Sequence, residues 1–172
     1  EGETVTGGGF MINPGGKGAN QAYACTKLGG KVKMLGAVGQ DDFGKTLIES
    51  LASAGVDVSY IKRTKVAPTG VAVITVSGGN NRIILDKGAN ACLNSEDIDE
   101  FLLSARPGDI YLTQLENPVE KIGYGLKKAK EIGMYTILNP APANNGILPY
   151  LNYVDLVTPN ETEMAILGGR EK

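Results

Sequence analysis

The sequence predicts an α/β protein: a mostly parallel sheet with helices on both faces, and a smaller β-sheet set apart from it. Three observations carry this expectation. From residue 95 onward the pattern runs helix, strand, helix, strand, loop, strand, helix, the alternation of a parallel sheet covered on both sides. Two β-rich stretches, 1–14 and 69–87, break that alternation and read as partners in a separate small sheet. The 172 residues, 42% of them hydrophobic, suffice for one domain with a real core and are short for two.

The elements follow in chain order. Residues 3–12, ETVTGGGFMI, are rich in Thr, Val and Phe and read as β structure interrupted by three glycines. Over 17–29, Ala19, Ala22, Cys25 and Leu28 share one helical face. Residues 32–38, VKMLGAV, form a strand candidate. Asp41-Asp42 look like the N-cap and first turn of a helix with Phe43, Leu47, Ile48, Leu51 and Ala54 inward, and Gly55 as its C-cap. VDVSYI begins another strand. TGVAVITVS, then Gly78-Gly79-Asn80-Asn81, then NRIILD, is a β-hairpin signature. A second glycine loop, Gly88-Ala89-Asn90, precedes a helix start at Ser95-Glu96-Asp97. DIYLTQL (109–115) reads as a buried strand ended by Glu116-Asn117-Pro118. Val119, Ile122, Leu126, Ala129 and Ile132 have helical spacing, and YTILN (135–139) is the next strand. Pro140-Ala141-Pro142-Ala143 cannot continue a sheet interior. VDLVTPN (154–160) supplies a last strand and turn before a helix that starts at Glu161.

Composition narrows the function classes. A formal charge of −2 and a pI near 5.2 argue against nucleic acid or an anionic membrane as partner. No apolar run approaches the roughly 20 residues of a membrane span. The chain has no histidine, which removes Ser/His and Cys/His catalysis and zinc sites built on histidine. Two isolated cysteines fit a reduced, cytoplasmic setting.

Gly15-Gly16-Lys17-Gly18-Ala19-Asn20 is the stretch richest in chemistry. Its glycines let backbone approach a ligand closely, and a helix N-terminus behind them offers free N–H donors. Lys17 adds a cation and Asn20 a side chain that both donates and accepts. The stretch also reads as a plain turn before a helix. It is not a Walker A loop, since Gly18 stands where Ser or Thr must follow the lysine, and Gln21 spoils GxGxxG. Glu116, Asn139 and Asn160 all stand at predicted strand ends, the side on which open α/β sheets bind ligands. Each alone fits a turn or capping role. Glu161 and Glu163 could contact a metal or simply complement a helix dipole.

With these residues in place, the chain resembles the ribokinase/PfkB family of carbohydrate kinases, its ribokinase branch in particular. The matching segments are GETVTG, GGKGANQA, VGQDDFG, TGVAVI, GANA, QLENP, NPAPA and TPNETE, in order along all 172 residues. The resemblance implies a ribokinase-like three-layer αβα fold whose small β-sheet, at about 1–14 and 69–87, is a lid and the contact of a homodimer. It implies ATP-dependent phosphorylation of D-ribose to D-ribose 5-phosphate, with Mg2+ and a monovalent cation, K+. Sugar contacts fall to Gly16, Lys17, Gly18, Ala19, Asn20 and Glu116. Asn160 matches the asparagine on the ATP phosphates, and Glu163 completes an N-x-x-E pattern tied to magnesium and phosphate. No residue is assigned as a metal ligand. The family's first strand, with its sugar-gripping Asn and Asp, has no counterpart here. Nor has the nucleotide-binding half with its GAGD-type catalytic aspartate and K+ site. The expectation is an incomplete domain over 1–172 with no catalytic residue of its own, inactive and poorly stable alone. A non-catalytic sugar-binding module is the alternative outside the class. Fructokinase or nucleoside kinase is the alternative within it, disfavoured by Lys17-Gly18-Ala19-Asn20.

Overall fold

The computed structural model describes residues 6–169. Five helices and seven strands occur among the described residues, and those from residue 95 on follow the expected alternation. The first part holds α1 (Lys17–Lys27), β1 (Gly36–Gly39), α2 (Asp42–Ala54) and β2 (Ile61–Thr64). The hairpin strands are β3 (Val71–Ser77) and β4 (Asn80–Asp86), followed by a 3-10 turn at Gly88–Cys92. The rest holds α3 (Ser95–Leu102), β5 (Ile110–Thr113), α4 (Val119–Ile132), β6 (Tyr135–Leu138), a 3-10 stretch at Asn145–Tyr153, β7 (Leu156–Val157) and α5 (Glu161–Leu167).

Local chemistry fixes the helix ends. The Asp41 carboxylate accepts from the Gly44 N–H at 2.8 Å and caps α2, and Gly55 ends it in a left-handed turn. Asn94 and Asp97 cap α3 reciprocally, as Asn160 and Glu163 do for α5. Among the described residues all pairing outside the hairpin is parallel: β1 with β2, and β5 with β6 with β7. β7 is held to β6 by a buried Thr136, whose hydroxyl donates to the Tyr153 carbonyl at 2.7 Å while its N–H donates to Asp155. Lys130 closes on the same carboxylate, and these hydrogen bonds hold the Asp155 pKa down at about 2.

The main core lies between α3, α4 and the β5–β7 sheet. Leu126 and Leu138 are wholly buried there, each contributing roughly 1.5–3 kcal/mol by removal of apolar surface from water. A smaller cluster, Ala22, Leu51 and Val56, joins α1 to α2, and a third joins Ala37 to Ala89 and Leu93. Leu35 borders both the main core and the third cluster. Among the described residues no helix is long and apolar enough to cross a membrane.

Several expectations are corrected. The parallel strands form two sheets, β1–β2 and β5–β6–β7, rather than one. The strand expected at 32–38 shortens to β1, with only a bridge between Lys33 and Asp57 before it. The expected β structure over 3–12 is absent from residues 6–12, while residues 1–5 lie outside the described part. Gly7, Gly8 and Gly9 have no side chain to pack and no heavy atom within 4 Å of where one would begin, so nothing holds an extended segment to a neighbour. Among the described residues the hairpin therefore pairs only with itself, in the register Val71 to Asp86 through Ser77 to Asn80. Phe43 is exposed rather than inward, because the buried stripe of α2 runs through Gly44 and Leu51. Ile110, in the strand expected to be buried, is 64% exposed at its open end.

Candidate functional site

Helix α1 begins at the glycine loop with no side-chain cap of its own, because its N-cap is Gly16 and its first turn holds no acid. The missing cap comes from 99 residues away. The Glu116 Oε2 accepts a hydrogen bond from the Lys17 backbone N–H at 2.7 Å, so the negative carboxylate sits on the positive end of the helix. Gly16, at φ 99°, turns the chain through a conformation that side chains disfavour. A side chain there would also begin 3.9 Å from the Glu116 Oε2. Sequence reading selected both Lys17 and Glu116. The structure brings them together through the main chain of Lys17 rather than its ammonium group.

Glu116 stands just past β5, and the next links run along the carboxyl ends of the same sheet. Gln114 donates through Nε2 to the Gln21 Oε1, and Gln21 Nε2 lies 3.5 Å from the Asn139 Oδ1. Asn139 donates through Nδ2 to the Thr158 carbonyl at 3.0 Å. Backbone bonds continue the parallel ladders to this level, from Asn139 N–H to the Thr113 carbonyl and from Thr158 N–H to the Leu138 carbonyl. The sequence thus placed Asn139 correctly at a strand end. It offered no signal for Gln21 and Gln114, which are 93 residues apart and meet only in the fold.

Gly18 gains a steric reason. A Cβ on it would lie 2.9 Å from the Gln114 Oε1, so the absence of a side chain makes room for the Gln114 amide. Ala19, whose Cβ lies about as near the Gly16 position as the Glu116 Oε2 does, and Asn20 also border open space. They line, with Asn13, Pro14, Tyr23, Leu47 and Ser50, a cleft of about 310 Å³ between the loop and α2. Asn20 is exposed, and Gly16–Asn20 as a whole lies at the surface.

Asn160 and Glu163 are brought together at the end of β7, where they satisfy each other. Asn160 Oδ1 accepts from the Glu163 N–H at 2.8 Å. Glu163 Oε2 accepts from the Asn160 N–H at 2.8 Å, and Oε1 accepts from the Asn160 Nδ2 at 3.1 Å. Glu161 lies in the same exposed first turn. No group of three or more acidic or cysteine side chains disposed to hold a metal occurs among the described residues.

A second knot, which sequence reading missed, anchors the hairpin. Thr69, only 4% exposed, donates its hydroxyl to the Asp41 Oδ1 at 2.6 Å and its N–H to the Asp41 Oδ2 at 2.7 Å. The same hydroxyl accepts from the Gly39 N–H at 2.9 Å. These bonds to Thr69 pull the Asp41 pKa below the ordinary carboxylate value. A residue at the end of β1, a helix cap and the root of β3 are thereby fixed to one another. The closest sequence signal was the pair VGQDDFG and TGVAVI, which carried no indication that they meet.

Comparison with known proteins returns a consistent result. The sequence profile of the pfkB family carbohydrate kinases matches residues 1–172. The chain is 39% identical over 171 residues to the ribokinase of Haemophilus influenzae, covering 99% of this chain and 56% of that protein. It is 40% identical over 171 residues to a deoxyribokinase of Salmonella typhi, covering 98% of this chain and 56% of that protein. In structure it is similar to the Arabidopsis thaliana ribokinase complexed with ribose and ATP, with TM-score 0.82, 32% identity, and 98% of this chain superposed on 56% of that one. The chain thus spans little more than half the length of the relatives it matches, and its fold is the ribokinase-like αβα fold in incomplete form.

Proposed function

Because the chain belongs to the pfkB family of carbohydrate kinases, we propose that it supplies the sugar-binding part of an ATP-dependent pentose kinase that phosphorylates D-ribose to D-ribose 5-phosphate. The observation that carries this reading is the Glu116 carboxylate held by the Lys17 N–H against the glycine loop. A neutral sugar asks for fixed acceptors and donors rather than net charge. Glu116 is oriented through one carboxylate oxygen, and among the described residues no hydrogen bond reaches the other, which is left to accept from sugar hydroxyls. Gly16, Lys17, Gly18 and Ala19 contribute backbone at the helix start, and Asn20 its amide.

On the nucleotide side we assign Asn160 to the phosphates of ATP and Glu163 to Mg2+. Each carboxylate oxygen of Glu163 accepts one bond within the cap and keeps a second lone pair, which fits a single-carboxylate contact to a metal held mainly by phosphate oxygens. Mg2+ bound with ATP would neutralise charge on the transferred phosphoryl group. The residue that takes the proton from the attacking hydroxyl we place outside residues 1–172, together with the K+ site. Residues 1–172 alone are then expected to bind sugar without turnover. The apolar hairpin is assigned to contact with a second copy: Val73, Ile74, Val76, Ile83 and Ile84 are each more than half exposed, and they occupy both its faces. The setting is cytoplasmic.

A 2-deoxypentose is the second reading, favoured by the 40% identity to a deoxyribokinase beside 39% to a ribokinase. The test is ADP release by the polypeptide that the whole gene encodes, with D-ribose, 2-deoxy-D-ribose, D-fructose and adenosine. The highest kcat/KM is expected with D-ribose. Preference for deoxyribose selects the second reading, preference for fructose or adenosine overturns both, and no release with any acceptor overturns the kinase.

A further inference from the structure

We propose that Gln21 is a positioning residue that couples the sugar loop to the turn carrying Asn160 and Glu163, through a relay of side-chain amides across the carboxyl ends of β5, β6 and β7. The inference rests on the assignment of Gly16–Asn20 to the sugar and of Asn160 to the nucleotide. Gln21 directly follows Asn20 in α1, so a shift of the loop moves it. Its Oε1 accepts from Gln114, which stands two residues before Glu116, so the same side chain also feels the strand end that carries the carboxylate. Its Nε2 faces the Asn139 Oδ1 at 3.5 Å, the longest link of the set. Asn139 in turn donates to the carbonyl of Thr158, two residues before Asn160.

The arrangement differs from a ligand contact in one physical respect. Each amide in the line is engaged by another amide or by backbone, in one donor-to-acceptor order: Gln114 to Gln21, Gln21 to Asn139, Asn139 to Thr158. Groups engaged in this way hold neighbours in register instead of presenting free valences to a substrate, and consecutive hydrogen bonds polarise one another in the same sense. Gly18 belongs to the device, since any side chain there meets the Gln114 amide. Phosphoryl transfer depends on fixing the acceptor hydroxyl relative to the phosphate within a fraction of an ångström. A relay that ties the sugar side to the phosphate side serves that need without touching either ligand.

Two variants cut the line at different places. Gln21→Ala removes the middle amide. Asn139→Asp keeps the acceptor facing Gln21 but loses the donor to Thr158. Backbone hydrogen exchange in the ligand-free protein reads the coupling without reference to catalysis. If the relay exists, Gln21→Ala speeds exchange of the Glu163 N–H in the distant cap, and Asn139→Asp speeds exchange of the Lys17 N–H, each by about threefold or more. In the double variant, neither amide exchanges faster than in the more affected single variant. Changes confined to the immediate neighbours of each substitution, or effects that multiply in the double variant, overturn the proposal. In the kinase assay of the polypeptide that the whole gene encodes, both variants raise the sugar KM, with Gln21→Glu, which keeps the acceptor for Gln114, falling between Gln21→Ala and wild type. Equal KM in all forms beside active wild type also overturns it. Wild type that phosphorylates no sugar strikes the pentose-kinase reading instead, and the exchange result still decides the relay.

Discussion

Removal of the Glu116 carboxylate separates the helix-capping role it has in the structure from the sugar-binding role proposed for it. In Glu116→Ala the Lys17 N–H loses its partner at 2.7 Å in a half-buried site, and α1 keeps no other side-chain cap. A hydrogen bond to a charged acceptor contributes about 1.5–3 kcal/mol, and loss of an N-cap by itself costs about 1 kcal/mol, so a destabilisation near 2 kcal/mol is expected. For a chain of this size that lowers Tm by roughly 4–8 °C. Glu116→Gln keeps an acceptor oxygen without the charge, and its loss is expected to be less than half as large. Sugar binding responds differently. If Glu116 accepts from sugar hydroxyls as proposed, both variants remove that charged acceptor, and at about 1.4 kcal/mol per tenfold the dissociation constant rises roughly 10- to 100-fold in each. Thermal melts and calorimetric titration with D-ribose measure the two effects side by side. Glu116→Ala melting with wild type would refute the capping role, and unchanged ribose affinity in both variants would refute the sugar role.

Gly18→Ala places a methyl 2.9 Å from the Gln114 Oε1, the far end of a flexible side chain, so the fold should survive with a loss near or below ~1 kcal/mol while the Gln114 amide leaves Gln21. A side-chain amide spectrum shows the Gln114 signal shifting, and an unmoved signal contradicts the steric account. Thr69→Val keeps shape but removes the hydroxyl that serves both Asp41 and Gly39; about 2–3 kcal/mol of destabilisation is expected, seen as a lower urea midpoint at constant slope. Acid should weaken the protein in a defined window. Asp155 falls from its ordinary 3.8 to about 2, and Asp41 is lowered too, so their contributions are complete above about pH 4 and are lost as pH falls toward 2. Melts between pH 7 and pH 2 should show this decline, and Asp155→Asn should make it shallower; an equally steep decline in the variant would contradict the assignment.

What the sequence revealed and what it hid divide by distance along the chain. The Asp41 cap, the Gly78-Gly79 hairpin turn and the helix start at Glu161 rest on contacts within a few residues, and local chemistry dictates them. Glu116, Asn139 and Asn160 could be placed at strand ends because alternation fixes where a parallel strand stops. That Glu116 would cap α1 was not legible, since the bond spans 99 residues and its donor is a backbone N–H that any residue carries. Gln21, Gln114 and Thr69 were passed over for the same reason: an amide or hydroxyl with a distant partner looks like any solvent-facing polar residue. Over residues 6–12 the expected strand failed in the opposite way. Thr, Val and Phe carry strand propensity, but Gly7–Gly9 give a neighbour nothing to pack against.

The central claim is that Gly16–Asn20 grips a sugar rather than a phosphate, and backbone amide spectra during separate titrations test it most directly. D-ribose is expected to move the Lys17, Gly18 and Asn20 signals saturably, while ATP with Mg2+ moves Asn160 and Glu163 and leaves Lys17 nearly still. ATP shifting Lys17 and Gly18 while ribose leaves them unmoved would contradict the account and return the loop to phosphate.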